Sequence, residues 1–184
     1  MSAGRAPVVR VLGGRWKGRR LEASAAARPT SGRARQALVN LLGTRVPGAR
    51  VLDLYAGTGG VGIELVSRGA ASAVLVEQEA APLRRALERI GAGPEEIRVV
   101  AAPADRALAD FARAGERFDI IFADPPYGDG PCAAALDAVA GILAEGGVLA
   151  LQVDAGAPAP AIPGLALRDQ RDYGRNVFLF FGML

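Results

Sequence analysis

The sequence contains no histidine, one cysteine (Cys132) and one lysine (Lys17) in 184 residues. The chain therefore cannot form an internal disulfide, a zinc site of His and Cys ligands or a histidine-based catalytic triad. No residue pattern indicates any other metal site, and we expect none. Chemistry at an active site must come from carboxylates, tyrosine, the backbone or a cofactor.

Long apolar segments are also missing, since no stretch reaches about 18 uninterrupted apolar residues. The N-terminus lacks the charged and then apolar pattern of a signal peptide. We therefore expect a soluble cytoplasmic protein without membrane contact. The length suits one domain with a real core, and nothing suggests an obligate dimer interface, so we expect a monomer.

Acidic residues are scarce at one end of the chain. The first 50 positions hold eleven of the 22 Lys and Arg residues but only one of the 19 acidic residues, Glu22. This asymmetry indicates a polyanion-binding end joined to an acidic body. Arginine suits bidentate phosphate contacts and base stacking, although its abundance over lysine is also typical of a GC-rich genome.

From residue 50 onward, strand-like and helix-like segments alternate, which predicts a mostly parallel sheet covered on both faces. The predicted strands are Arg50–Leu54, Ala73–Glu77, Ile97–Ala101, Phe118–Ala123, Gly147–Val153, Leu165–Arg171 and Val177–Gly182. The predicted helices between the first five are Val61–Ser67, Ala80–Ile90, Ala104–Ala114 and Pro131–Ala144. The last two strands have no helix between them and predict a C-terminal hairpin. The fold class is thus α/β, a Rossmann-like sheet of seven strands.

The first 48 residues predict a small basic appendage rather than a domain, followed by a catalytic domain over residues 49–184. Val8–Leu12 and Lys17–Leu21 predict a hairpin, and Arg33–Leu42 predicts a helix after a capping Thr30 or Ser31. We expect RNA contacts here from Arg10, Arg15, Trp16, Lys17, Arg19, Arg20, Arg33 and Arg35. The alternative is that the arginines form a solvated face and that Trp16 is a plug covering the sheet.

A glycine loop follows the first strand of the body in the stretch VLDLYAGTGGVG. Gly57, Gly59 and Gly62 have the G-x-G-x-x-G spacing of a nucleotide-binding turn, and Glu77 follows Gly57 by twenty positions. Asp53, four residues before Gly57, is a poor neighbour for a pyrophosphate because like charges repel. It suits S-adenosylmethionine, which carries a sulfonium and an ammonium and no phosphate. Glu77 could accept hydrogen bonds from both ribose hydroxyls, or be an exposed loop acid.

The stretch IIFADPPYGDG places Asp124, Pro125, Pro126 and Tyr127 at the end of a buried strand. Proline lacks an N–H and restricts the residue before it, so this site is rich in acceptors and poor in donors. It fits an exocyclic amino group of a nucleobase, with Asp124 and the Pro125 carbonyl orienting the two hydrogens. Tyr127 could stack on the base. The alternative is an ordinary Pro-Pro turn that ends a strand.

These motifs resemble a class I S-adenosylmethionine-dependent methyltransferase, and DPPY is similar to the signature of amino-methyltransferases. The stretches RVLGGRWKGRRL and RPTSGRARQALVNLL are similar to the N-terminal signatures of the RsmD family. The similarity extends over nearly the whole chain. It implies methylation of N2 of one guanine in bacterial 16S rRNA, with that rRNA or the small ribosomal subunit as the partner.

The same resemblance implies roles for individual residues. Cofactor contacts are implied for Asp53, Ala56, Gly57, Gly59, Glu77, Ala104 and Asp105, and catalysis for Asp124, Pro125, Pro126 and Tyr127. Two positions depart from the family pattern, because Gln36 stands where the family usually has Glu and Val39 where it has Phe.

Three other functions stay open at this point. DPPY specifies an amino group but not its base, so an adenine-N6 or cytosine-N4 methyltransferase on RNA or DNA is possible. A non-catalytic ribosome-assembly factor would not need Asp53, Glu77 and DPPY intact. A nicotinamide oxidoreductase is disfavoured by Asp53 and DPPY.

Overall fold

A sheet of seven strands forms the centre of the protein. The computed structural model describes residues 8–22, 30–126, 136–174 and 176–184. The strands of the sheet are β3 (Arg50–Leu54), β4 (Ser72–Val76), β5 (Ile97–Val100), β6 (Phe118–Ala123), β7 (Leu143–Asp154), β8 (Leu165–Tyr173) and β9 (Asn176–Met183). Their order across the sheet is β5-β4-β3-β6-β7-β9-β8. The first five are parallel, and β9 pairs antiparallel with both β7 and β8. The predicted fold class and C-terminal hairpin are confirmed.

Helices cover both faces of this sheet because its parallel strands are apolar on both sides. The helices are α1 (Gly32–Leu42), α2 (Gly60–Ser67), α3 (Ala80–Ile90) and α4 (Ala104–Arg113). One face packs with α1, α2 and α3 through side chains such as Val51 and Ile120. The other packs with α4 through Leu52 and Ile121. No helix among the described residues is long and apolar enough to cross a membrane.

The predicted helix Pro131–Ala144 is wrong at its end. Residues 131–135 lie outside the described residues, Val139–Gly141 is a short 3-10 turn, and β7 already begins at Leu143. Leu143 pairs with Phe118, and the register then shifts before Val148 pairs with Ile120. The apolar stretch around Leu143 therefore satisfies its backbone in the sheet, which a pattern of apolar residues alone does not distinguish from a helix.

The N-terminal hairpin is shorter than predicted, with β1 at Val8–Arg10 and β2 at Arg20–Glu22. Its tip is docked on the C-terminal end of α2. Ser67 Oγ donates to the Gly13 carbonyl at 2.6 Å, and the Ser67 carbonyl accepts from the Arg15 amide at 2.8 Å. Gly14 has φ of 73°, and a Cβ there would lie 1.7 Å from the Ser67 carbonyl oxygen. Only glycine fits at this contact.

The hairpin and α1 share the core of the sheet. Val9, Leu21 and Leu38 belong to the same buried cluster as Val51 of β3. The division at residue 48 between an appendage and a catalytic domain stays a prediction.

Candidate functional site

Three carboxylates lie at the carboxyl ends of adjacent parallel strands. Asp53 lies in β3 one residue before its end, Glu77 directly follows β4, and Asp124 directly follows β6. Leu54, the last residue of β3, pairs with Val76 and with Ala123, so the three strands end at the same level. This edge is where ligands bind in open α/β sheets. The structure therefore brings together three acids that are separated by up to 71 positions in the sequence.

Asp53 is a fully buried carboxylate in this group. Only 1% of the residue is exposed, and its Oδ2 accepts from the Gly62 amide at 2.8 Å. Burial raises the pKa of Asp53 to about 7, and the negative charges of Asp124 and Glu77 contribute to this shift, while the Gly62 hydrogen bond opposes it. Within the described residues, no cation contributes to this pKa. The site therefore has a local excess of negative charge.

Gly62 permits the close approach of α2 to this acid. A Cβ at Gly62 would lie 2.3 Å from Leu75 Cδ2 and 3.2 Å from Asp53 Oδ2. Any side chain would push the helix start away from β3 and β4. The third glycine of the loop is thus required for the packing that places the Asp53 carboxylate.

Glu77 holds the glycine loop through its two oxygens. Its Oε2 accepts from the Gly57 amide at 2.8 Å, and its Oε1 accepts from the Glu79 amide at 3.2 Å. The Ala56 amide donates to the Val76 carbonyl at 2.9 Å, which ties the same loop to β4. The predicted cofactor residues Ala56, Gly57 and Glu77 are therefore in contact, and Glu77 is partly exposed at the open edge.

Tyr55 is a residue of the site that sequence reasoning missed. It directly follows β3 and has φ of 61°. In the described part of the chain, no other non-glycine residue has a positive φ. Such a conformation costs free energy and is concentrated at functional sites. A tyrosine between Asp53 and the glycine loop was the available sequence signal.

Asp124 is largely buried, and its environment differs from that of Asp53. Burial raises the pKa of Asp124 to about 6, and the charge of Asp154 adds to the rise, while a hydrogen bond with the Thr30 hydroxyl lowers it. Pro125 is partly exposed and Pro126 is exposed. Tyr127, the predicted stacking residue, lies outside the described residues.

Thr30 connects Asp124 to a polar chain that sequence reasoning did not identify. Its Oγ1 donates to Gln152 Oε1 at 3.4 Å, and Gln152 Nε2 donates to Asn176 Oδ1 at 3.5 Å. A hydrogen bond to an ionised acceptor is stronger than one to a neutral acceptor. The Thr30 hydroxyl therefore donates to Asp124 when that carboxylate is ionised, and to Gln152 when Asp124 is protonated. Gln152 is buried directly after the apolar run Val148–Leu151 of β7, and that position was its only sequence signal.

Ala104 and Asp105 form the start of α4, after β5. Ala104 is buried, and Asp105 is an exposed acid in the first turn. Because β5 is adjacent to β4, this helix start lies at the same sheet edge as Glu77. Their contact with a cofactor stays a prediction.

The predicted RNA-contacting residues divide into two groups. Arg10, Lys17, Arg19, Arg20 and Arg33 are exposed. Arg15 is also exposed, but its guanidinium pairs with Glu96 at 2.6 Å and lies 4.1 Å from the centre of the Trp16 ring.

Trp16 and Arg35 depart from the expectation of an RNA-facing surface. Trp16 is 5% exposed and packs in the core, as the alternative of a plug predicted. Arg35 is 3% exposed and donates through Nη2 to the Arg10 carbonyl at 2.8 Å. Both side chains support the docked hairpin, and neither belongs to the exposed part of the N-terminal segment.

The two departures from the family pattern have structural partners. Gln36 Oε1 accepts from Arg68 Nη2 at 2.8 Å, and Gln36 Nε2 donates to Asn40 Oδ1 at 2.8 Å. Arg68 also pairs with the buried Glu64 at 2.7 Å, and Glu64 Oε2 accepts from the Leu12 amide at 2.7 Å. Val39 is buried in the core of this face. Gln36 thus helps to dock α1 on α2, away from the three carboxylates.

The acids of the site do not form a metal centre. In the ranges 8–22, 30–126, 136–174 and 176–184, no group of three or more His, Cys, Asp or Glu residues could hold a metal ion. The expectation of no metal for the whole chain stays a prediction.

Comparison with known proteins places the chain in a family. The family model described as "Conserved hypothetical protein 95" matches residues 9–182. Ribosomal RNA small subunit methyltransferase D of Escherichia coli strain K12 is 36% identical over 124 residues, which are 65% of this chain and 60% of that protein. The matched part of the chain thus spans about 60% of the length of this curated relative.

Two solved structures share the fold over nearly the whole chain. A putative methyltransferase from Escherichia coli, yhhF, has a TM-score of 0.83 at 29% identity, covering 96% of this chain and 98% of that one. A hypothetical protein of Thermus thermophilus has a TM-score of 0.82 at 37% identity, covering 94% of this chain and 98% of that one. The resemblance predicted from the N-terminal motifs is therefore confirmed, and the chain belongs to the RsmD family, whose model is described as conserved hypothetical protein 95.

Proposed function

We propose that this protein transfers a methyl group from S-adenosylmethionine to an exocyclic amino group in ribosomal RNA. The observation that carries the proposal is the group of three carboxylates at one sheet edge. Asp53 among them is buried, and the charges that act on it within the described part of the chain are those of the acids Asp124 and Glu77. A ligand with two positive charges would relieve this repulsion. The name of the Escherichia coli relative, a small-subunit rRNA methyltransferase, supports the substrate class.

The residues at the edge fit this cofactor. We assign recognition of the ribose to Glu77, whose two oxygens would exchange their loop amides for hydroxyls. Asp53 supplies the negative charge, Ala56, Gly57 and Gly59 form the loop wall, and Ala104 and Asp105 close the outer side. When bound, S-adenosylmethionine supplies a methyl group on a positively charged sulfur.

Asp124 and the Pro125 carbonyl are the proposed acceptors for the two hydrogens of the amine. Holding both hydrogens points the nitrogen lone pair away from the acceptors, and such positioning supplies much of a rate enhancement. The amine proton leaves after transfer, to Asp124 or to water. The pKa of about 6 makes Asp124 a better proton acceptor than an ordinary aspartate while it is still ionised at neutral pH. We keep Tyr127 as the proposed base-stacking residue.

As the specific target we propose N2 of a guanine in 16S rRNA, free or in the small ribosomal subunit, in the bacterial cytoplasm. The family resemblance supports guanine, whereas the site itself selects an amino group. The exposed basic residues of the N-terminal 48 positions are the proposed RNA contacts, and the enzyme is proposed to act as a monomer.

The test is methyl transfer from S-adenosylmethionine to 16S rRNA purified from cells that lack the gene. We expect N2-methylguanosine in the digested rRNA, measured by mass spectrometry of nucleosides. N6-methyladenosine or N4-methylcytidine would correct the base and keep the chemistry. An absence of any methylated product, with both rRNA and small subunits as substrates, would instead favour a non-catalytic assembly role.

The companion variant is Asp124→Ala. It should bind S-adenosylmethionine nearly as the wild type does, while methyl transfer falls by at least about 100-fold, the lower range for loss of a positioned acid or base. Tyr127→Phe should retain most activity, because stacking needs the ring and not the hydroxyl. Normal turnover by Asp124→Ala would contradict the assigned mechanism.

A further inference from the structure

A cavity of about 460 Å³ lies between the N-terminal hairpin and the start of α1. Its volume is in the range of small-molecule sites. The polar residues that line it are Arg10, Arg20, Thr30, Ser31, Gly32 and Arg35, and its apolar wall comes from β1 and Leu12. Among the described lining residues there are three arginines and no acid. The cavity therefore has a strong excess of positive charge.

Two of these arginines face each other in a way that is unfavourable without a ligand. Arg10 of β1 and Arg20 of β2 are directly opposite each other in the antiparallel ladder, and both are exposed. Like charges at opposed positions destabilise a strand pair. Bound negative charge between them would remove this cost.

The third arginine, Arg35, is buried in the wall of the cavity. Its Nη2 donates to the Arg10 carbonyl, but its Nε has no hydrogen-bond partner among the described residues, although Arg35 is only 3% exposed. Leaving a buried donor of a charged group unpaired costs free energy. Gly60 leaves room for the guanidinium, since a Cβ there would lie 2.7 Å from Arg35 Nη1. The fold thus keeps the charged Arg35 guanidinium in the wall of the cavity at a cost in free energy.

The start of α1 adds a backbone donor to the cavity lining at Gly32, and the amide of Arg33 follows it in the same turn. Ser31 caps the helix, and its side chain and carbonyl accept from the amides of Ala34 and Arg35. The amides of Gly32 and Arg33 have no acceptor within the helix because they belong to its first turn. Such a helix start binds phosphate groups, and here it is surrounded by arginines.

Thr30 links the cavity to the candidate active site. It lines the cavity, and its hydroxyl is hydrogen-bonded to the Asp124 carboxylate. The cavity and Asp124 are therefore separated by the width of one side chain. A phosphate in this cavity would therefore lie close to a base whose amine is held at Asp124.

We propose that this cavity is a phosphate subsite, which binds a backbone phosphate of the substrate RNA beside the nucleotide that is methylated. Arg10 and Arg20 pair with the phosphate oxygens from the hairpin, Arg35 supports them from below, and the Gly32 and Arg33 amides donate from α1. This subsite rests on the proposed function for the identity of its ligand as RNA. The binding of phosphate itself does not depend on methyl transfer.

The test uses the full chain labelled with nitrogen-15 and three probes: guanosine 5′-monophosphate, guanosine and inorganic phosphate. The two phosphate-bearing probes should shift the amide signals of Gly32 and Arg33 in a saturable way, and guanosine should not. Arg20→Gln should weaken binding of guanosine 5′-monophosphate by about tenfold, as expected for loss of one hydrogen-bonded charged partner. Arg20 is exposed, so this variant should keep the fold.

Two comparisons separate a site from general attraction by positive charge. Arg85→Gln removes an equal charge from the exposed side of α3 and should leave the affinity within twofold. Arg19→Gln removes the charge next to Arg20 but outside the cavity, and should have less than half the effect of Arg20→Gln on the logarithm of the affinity. Equal weakening by Arg19→Gln and Arg20→Gln, or no saturable shift at Gly32 and Arg33, would overturn the subsite.

The result is distinguishable from failure of the proposed function. Phosphate binding at Gly32 and Arg33 without methylation of any rRNA would retain the subsite and remove the enzyme activity. Methylated rRNA together with absent phosphate shifts would retain the activity and remove the subsite.

Discussion

At the scale of single residues, the protein places ionisable groups where their charged forms are disfavoured. Asp53 and Asp124 both have raised pKa values, of about 7 and about 6, and burial is the largest cause for each. A raised carboxyl pKa means that the folded protein binds the proton more tightly than the unfolded chain does. The contribution of each group to stability is therefore fully present below the unfolded pKa and is lost as the pH rises through the folded pKa.

The affinity for S-adenosylmethionine should rise between about pH 5 and pH 7.5, because a cationic ligand favours the ionised form of Asp53, whose pKa is about 7. Calorimetry in this range should also show proton release on binding. S-adenosylhomocysteine lacks the sulfonium charge, so its affinity should depend less on pH. An affinity for S-adenosylmethionine that is flat over this range would mean that Asp53 does not sense the ligand charge.

Asp53→Asn should have opposite effects on stability and binding. The amide oxygen can still accept from the Gly62 amide, while the buried charge is removed. We expect the ligand-free variant to be more stable than the wild type at pH 7, with the difference disappearing toward pH 4, and to bind S-adenosylmethionine more weakly. Chemical denaturation at several pH values measures the first effect, and a variant that is less stable at pH 7 would contradict it.

Thr30→Val should move the pH dependence of methyl transfer upward. The Thr30 hydroxyl lowers the pKa of Asp124, so its removal raises that pKa, and ionised Asp124 then forms only at higher pH. The measurement is the single-turnover rate as a function of pH. Thr30→Ser keeps a hydroxyl and is the matched control. An identical pH profile for Thr30→Val and the wild type would mean that Thr30 does not affect the ionisation of Asp124 during methyl transfer.

At the scale of elements, the hairpin tip is held by the C-terminal end of α2. A helix that follows a parallel strand runs back along the sheet, so this end of α2 lies at the amino edge of the strands, opposite the three carboxylates. Gly14 is needed there because the Ser67 carbonyl occupies the space of any Cβ and the backbone has positive φ. The hairpin therefore spans the face of the sheet, with Arg10 and Arg20 toward the site and its tip away from it.

Gly14→Ala should destabilise the protein clearly more than Gly18→Ala. Both glycines have positive φ, of 73° and 83°, so both substitutions carry the conformational cost of about 1–2 kcal/mol. At position 14 the new Cβ collides with backbone, at 1.7 Å, whereas no atom of the described residues lies within 4 Å at position 18. Denaturant unfolding measures the difference, and equal losses would mean that the tip is not docked on α2.

At the scale of the whole molecule, the charge asymmetry of the sequence becomes a spatial one. The acidic body presents three carboxylates at its sheet edge. Five exposed cations among the described residues lie on the hairpin and α1, namely Arg10, Lys17, Arg19, Arg20 and Arg33. Arg15 is an exception because it pairs with Glu96 of the body. A polyanion can thus be held beside, and not on, the acidic edge.

The double variant Lys17→Gln with Arg19→Gln should flatten the salt dependence of rRNA binding. If both residues contact phosphates, the slope of log affinity against log salt should fall by about 1.4 to 1.8. The affinity for S-adenosylmethionine should not change. The control is the double variant Arg84→Gln with Arg85→Gln, which removes the same charge from α3 and should leave the slope unchanged. Equal slopes for the two double variants would mean that the RNA does not bind at Lys17 and Arg19.

The sequence by itself determined the sheet and the group of carboxylates. Asp53, Glu77 and Asp124 each stand at or beside the end of a predicted strand, and parallel neighbours bring such ends to one edge whatever the details of packing. Elements such as Ala80–Ile90 were predictable for a related reason, since local periodicity specifies which face is buried. The N-terminal motifs were specific enough to identify the family.

Only the tertiary structure decided what the N-terminal cations do. Local sequence makes Trp16 and Arg35 resemble their exposed neighbours, but docking of the hairpin on α1 and α2 buries both. The bonds from Thr30 to Asp124 and Gln152 join positions about a hundred residues apart, and no periodicity records them. The cavity lined by Arg10, Arg20 and Arg35 exists because a two-stranded hairpin too small to fold alone packs against the start of a helix. Its charge was visible in the sequence, whereas its shape depends on contacts between elements distant along the chain.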